Sequence, residues 1–202
     1  MKTVTGLFDT YQHALEAVNA LKDAGITSAD VSLIADSPED VGQDEDVVGK
    51  DATAGAEVGA ALGGAGGLLA GLGILAMPGL GPVLAGGWLV ATAVGAVAGA
   101  GLGAATGGII GLLTSAGVPE SDAHVYAEGL RRGGALVTAR VPDDRADIAL
   151  AILRQSNGID IEDLRRAYER QGWVEFEQDI AELTAEQARE YRDRYPLVPP
   201  VV

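Results

Sequence analysis

Apolar and polar positions follow three regimes along this chain. In the first, residues 3–8 (TVTGLF) read as a strand. Tyr11, Ala14, Val18 and Leu21 then recur at helical spacing behind Asp9, whose partner Gln12 completes a capping-box pattern. Gly25 stops that helix, and residues 30–35 (DVSLIA) form a second strand. The second regime runs from Val58 to Pro119 without one charged residue. In the third, the soluble pattern resumes. Residues 120–132 read as a helix ending at Gly133-Gly134, and 135–141 (ALVTARV) as a strand. Asp143 or Asp144 caps a helix through Ile148, Leu150, Ile152 and Leu153, and 159–164 (IDIEDL) offers a short last strand.

Glycine orders the middle regime. One series is Gly55, Gly59, Gly63, Gly67 and Gly71; the other is Gly87, Gly95, Gly99, Gly103, Gly107 and Gly111, with Ala91 filling the missing step. Residues four apart share one face of a helix, so each series draws a smooth stripe for helix packing. This glycine-zipper form of the GxxxG pattern is found mainly in lipid. Residues 54–76 and 83–113 are expected as two helical arms, the first of 23 residues, about 35 Å long at 1.5 Å per residue. The break between them, Met77–Pro82, carries Pro78, Gly79, Gly81 and Pro82, which end helices and permit a reversal. The expectation is an α-helical hairpin with both ends on one side.

Setting aside the insert and its exit helix, the element order is βαβ followed by βαβ. The expected fold class is therefore α+β: a ferredoxin-like split βαβ domain interrupted by a long glycine-rich helical hairpin. Residues 1–37 and 118–164 form the domain, 38–53 an acidic linker, 54–117 the hairpin and 165–202 a charged tail. In that tail Thr184 and Gln187 make a capping-box pair. Tyr168, Trp173 and Phe176 are candidates to pack on the domain or on a neighbouring subunit.

Charge narrows the partners. The net charge of -15 disfavours nucleic acid and simple docking on anionic lipid. The absence of cysteine removes disulfides, thiolate metal sites and cysteine nucleophiles. The start of the chain has no apolar h-region, so a cytoplasmic origin is the default.

Candidate chemistry is sparse. His13 and His124 sit on separate helices without ligand spacing, so no metal site is expected. No GxSxG elbow occurs. Gly99-Ala-Gly101-Leu-Gly103 resembles a nucleotide loop only formally, because the later acid is missing and the glycines continue on both sides. Asp160, Glu162 and Asp163 read as a solvated edge, and Arg131 and Arg132 as cations offsetting a helix C-terminus, with lipid headgroups a further option. No catalytic residue and no cofactor is expected.

The run TVTGLFDTYQHALEAVNALKDAGITSADVSLIA, with GVPESDAHVYAEGLRRGGALVTARV beyond the insert, resembles the bacterial heat-induced general stress proteins (YflT-type domain). The resemblance covers roughly 1–35 and 117–164. It implies a stress-associated bacterial protein of ferredoxin-like fold and carries no catalytic residues across. The expected function is a non-enzymatic structural protein that self-assembles, anchors to membrane lipid, or both, at the cytoplasmic face of the membrane. Two alternatives stay open: a soluble homo-oligomer with the hairpin as its dry interior, in the cytoplasm, and a ferredoxin-like small-ligand regulatory module.

Overall fold

The computed structural model describes residues 1–36, 73–77, 80–89, 91, 108–177 and 183–198. These residues form a mixed α+β structure around one antiparallel sheet. Its strands are β1 (Lys2–Phe8), β2 (Val31–Asp36), β3 (Gly73–Met77), β4 (Gly81–Gly87) and β5 (Ala135–Val141), in the order β1-β5-β2-β4-β3. β5 pairs antiparallel with β1 on one side and β2 on the other, so β1 and β2 run parallel with β5 between them. Helices α1 (Tyr11–Asp23), α2 (Gly108–Ser115), α3 (Glu120–Arg131), α4 (Ala146–Gln155), α5 (Ile161–Arg170) and α6 (Ala185–Arg194) surround the sheet.

Alternation along the strands gives two apolar faces. On one, Val4 and Phe8, Val31 and Leu33, and Val137 and Val141 meet Ala14, Val18 and Leu21 of α1 and Ala149 and Leu153 of α4. On the other, the register places Leu7, Leu136, Ile34 and Ala85 in a row across four strands. That row is closed by Ile109 and Leu113 of α2, by Ala123, Ala127 and Leu130 of α3, and by Leu164 and Tyr168 of α5. The helix expected only as an exit from the insert thus becomes a wall of the core.

Helix ends follow the residues that punctuate the sequence. Gly25, Gly117, Gly133, Asn157 and Gly172 all take positive φ just past a helix. After α3, the Gly134 N–H bonds to the Gly129 carbonyl and the Gly133 N–H to that of Leu130, the paired bonds of a Schellman stop. Gly129 allows α3 to press on β1. A Cβ there would lie 2.4 Å from Leu7 Cδ2.

Several expectations are corrected. Residues 73–77 and 81–87, expected in the two helical arms and the break between them, are strands that add a β-hairpin to the sheet. The chain does reverse at the MPGLGP break. Gly81 and Pro82 lie within β4, however, opposite Met77 and Ala76. Pro82 is tolerated because pairing with β2 begins one residue later, at Val83. Val83 and Ala85 are buried in the core, and such tertiary burial outweighs the glycine period in this part of the span. Pro78, Gly79 and the arm residues 54–72 and 92–107 lie outside the described residues.

The last expected strand, 159–164, is reduced to one bridge between Ile159 and Leu7. Asp160 instead caps α5, its Oδ1 accepting from the Glu162 and Asp163 N–H groups at 3.0 and 3.1 Å. The crowded acids are therefore the first turn of a helix, where its dipole favours negative charge. The cap of α1 is Thr10, which accepts from His13 N; Asp9 contacts the His13 ring instead. The capping box of Thr184 and Gln187 forms as expected.

Candidate functional site

The described members of the glycine stripes do not act as one stripe. Gly87 ends β4 at φ +100°, and a Cβ there would lie 2.3 Å from the Val31 carbonyl oxygen. It is needed for close approach to the backbone of β2, and not for helix packing. The chain then turns, and the buried Ser32 hydroxyl accepts from Leu89 N–H at 2.8 Å. Ala91 follows in helical conformation and is exposed. Gly111 lies in α2, yet a Cβ on it would meet nothing within 4 Å. Gly55, Gly59, Gly63, Gly67, Gly71, Gly95, Gly99, Gly103 and Gly107 are outside the described residues.

The histidines stay apart. His13 Nδ1 lies 2.6 Å from Asp9 Oδ1 on the surface, and that hydrogen bond raises its pKa. His124 Nδ1 accepts from the Phe176 N–H at 3.2 Å. Among the described residues no group of three or more His, Cys, Asp or Glu could hold a metal ion. Also among them, no helix is long and apolar enough to cross a membrane.

The most specialised cluster lies where α3 meets the C-terminal segment. Glu128, with 0% exposure, is bonded through Oε2 to Arg131 and through Oε1 to Arg132 Nε, the latter at 2.6 Å. The spacing i, i+3 and i+4 puts all three side chains on one helical face. Arg131 and Arg132 are themselves 6% and 5% exposed, so lipid headgroups do not reach them. One carboxylate against two guanidiniums leaves a formal excess of one buried positive charge, which is costly unless it is further compensated.

Aromatic faces supply that compensation. The Arg131 guanidinium sits 4.8 Å from the Phe176 ring and 4.5 Å from that of Tyr191. Arg132 sits 3.9 Å from Tyr168 and 5.5 Å from Tyr195. Polar bonds add to the cluster, while Arg131 Nε and Nη1 are buried with no hydrogen-bond partner. Tyr191 OH donates to Glu128 Oε1 at 2.8 Å, and Tyr168 OH to the Leu197 carbonyl at 2.9 Å. Arg132 Nη1 donates to Gln171 Oε1 at 2.9 Å and to the Pro196 carbonyl at 3.4 Å. Burial, with the negative charge of Glu128 second, pushes the Tyr191 hydroxyl up to about 12. Burial likewise raises Tyr168.

Every oxygen of Glu128 is thus engaged by a donor. The carboxylate is arranged to hold groups in place, and the cluster recognises aromatic rings and peptide carbonyls. The sequence reading placed Tyr168, Trp173 and Phe176 against the domain or a neighbour, and they pack on the domain. It missed Glu128 and Tyr191. The signal was available as Glu-x-x-Arg-Arg on a helix, with Tyr191 and Tyr195 four apart downstream.

Comparison with protein-family models, characterised proteins and solved structures gives no match to this chain.

Proposed function

We propose that this chain is a non-enzymatic, stress-associated structural protein of bacteria that self-associates through its glycine-rich runs. The observation that carries the reading is the charge-free span Val58–Pro119, in which glycine recurs at every fourth position from 59 to 71 and, with Ala91 in one step, from 87 to 111. Each helical glycine costs about 1 kcal/mol relative to alanine, so such runs need close packing partners to be worth their cost. The fold gives these runs a base. Leu80, Val83 and Ala85 belong to the core before the second run, and Ile109 and Leu113 at its end. The first run leads directly into β3.

Assembly in water, with the runs forming a dry interior, is the form favoured over insertion in lipid. The net charge of -15 repels anionic headgroups and keeps particles apart. The reversal at 77–81 is spent on a sheet hairpin, and a pair of helices spanning from 54 to 113 would need those residues. A ferredoxin-like ancestry fits the β1-β5-β2 arrangement, with the Leu7–Ile159 bridge marking where a fourth strand would lie. The stress association rests on the resemblance of 1–35 and 117–164 to the YflT-type domain.

Detergent-free particle sizing of the purified chain, paired with carbonate washing of cell membranes, tests the reading. Large discrete particles and release by carbonate are expected. A monomer in detergent-free buffer would overturn self-assembly, and retention after carbonate would move the function to the bilayer.

A further inference from the structure

We propose that the surface formed by Glu128, Arg131, Arg132 and Tyr168 is a peptide-docking site, filled in cis by residues 183–198, which accepts the same segment from a second copy. Three observations carry this. First, the receptor's internal bonds are made by residues outside the segment. The bonds from Glu128 run to Arg131 at the end of α3 and to Arg132 at its C-cap, and the Tyr168 ring of α5 and Gln171 at its C-cap reach Arg132. Second, the segment depends on docking for its order. α6 is a polar ten-residue helix, too short to be stable alone in water. Its docking uses the Tyr191 and Tyr195 rings on the two guanidiniums, the Tyr191 hydroxyl on Glu128, and the carbonyls of Pro196 and Leu197. Third, the occupant is known. The structure displays this segment on this receptor, so a second copy supplies a complementary ligand with no new interface, as in domain swapping.

The ligand chemistry is specific: two aromatic rings one helical turn apart, then the backbone carbonyls of Pro196 and Leu197. The tethered segment competes at an effective concentration on the order of millimolar. Exchange between copies is therefore expected where chains are crowded together. The site does not depend on the glycine runs.

Two measurements test the proposal. A fluorescent peptide of residues 183–198 is titrated into the full chain carrying Tyr191→Ala and Tyr195→Ala. Saturable binding is expected, at least about ten-fold tighter than to the wild-type chain, whose site is filled at high effective concentration. A peptide with both tyrosines changed to alanine should not bind. Equal binding of the two peptides, or none to a variant that still melts cooperatively, overturns the proposal.

The second measurement does not rely on that variant folding. Wild-type length chains with a photo-crosslinking phenylalanine at position 195, half of them heavy-isotope labelled, are irradiated at increasing concentration. Mixed-isotope crosslinks to α3 or α5 are expected to rise with concentration; crosslinks confined to single chains at every concentration overturn it. Repeating this in the Gly63→Leu, Gly103→Leu background separates the two ideas. Trans crosslinks should persist there even if the glycine-driven assembly is lost.

Discussion

The two faces of the sheet are closed in different ways. The face under α1 and α4 is dry and apolar, built from residues 4–35 and 135–153. Each of its helices is joined by short connections to the strands it covers. The opposite face draws on residues from Leu7 to Leu197, and at its outer edge a buried carboxylate holds two buried arginines beneath tyrosines of the C-terminal segment. The first face shows how far local periodicity can specify a core. The second shows where specificity passes to charge and aromatic geometry between distant segments.

The largest expected effect falls on the second face. Glu128→Ala leaves two arginines buried without their carboxylate and should cost about 3–5 kcal/mol. Denaturant unfolding measures the loss, and hydrogen exchange in α6 should rise disproportionately. On the dry face, Leu21→Ala should cost about 2–5 kcal/mol through lost burial and a cavity. There, exchange in α6 should change only in step with global stability. Equal local loosening of α6 in both variants would erase the contrast between the faces.

Gly129→Ala probes the close approach of α3 to β1. Leu7 is fully buried and has little room to yield, so overpacking of about 1–3 kcal/mol is expected in the melting transition. Tyr168→Phe removes one hydrogen bond to the Leu197 carbonyl and should cost about 0.5–1.5 kcal/mol. Its effect on exchange should concentrate in residues 183–198.

The smallest effect is in pH. The Tyr191 hydroxyl is pushed up to about 12 in the folded chain, against about 10 for an unperturbed tyrosine. The unfolded chain therefore loses its proton first. The contribution of Tyr191 is fully present below about pH 10 and is lost as the pH rises toward the folded value. Tyrosinate absorbance should show Tyr191 titrating late along with the buried Tyr126 and Tyr168. In Glu128→Gln, which removes the negative charge that helps raise it, the Tyr191 transition should move to lower pH.

Much of the first face was legible in sequence. The spacing of Tyr11, Ala14, Val18 and Leu21 gave α1, and the bounds of β5 at 135–141 agree with the pattern of ALVTARV. These elements have periods set by a single buried face. The hairpin of β3 and β4 was not legible, because GILAM and GPVLAGG are uniformly apolar or glycine and carry no period that separates strand from helix. Their state is decided by pairing with β2. IDIEDL alternates like a strand, yet Asp160 and the two acids behind it favour a helix start, and Leu164 and Tyr168 then reach the core. The arginine cluster escaped notice because its worth lies in Tyr191 and Tyr195, some sixty residues downstream, which no local pattern connects to Glu128.

The proposed self-association depends on the glycine runs serving as contact stripes. Sedimentation velocity in detergent-free buffer tests it directly on four chains: wild type, Gly63→Leu, Gly103→Leu and the off-stripe control Ala61→Leu. Wild type and Ala61→Leu should sediment as the same large species, while both glycine variants shift to smaller ones, each new side chain costing about 1–3 kcal/mol per contact. Identical sedimentation of all four chains would contradict it.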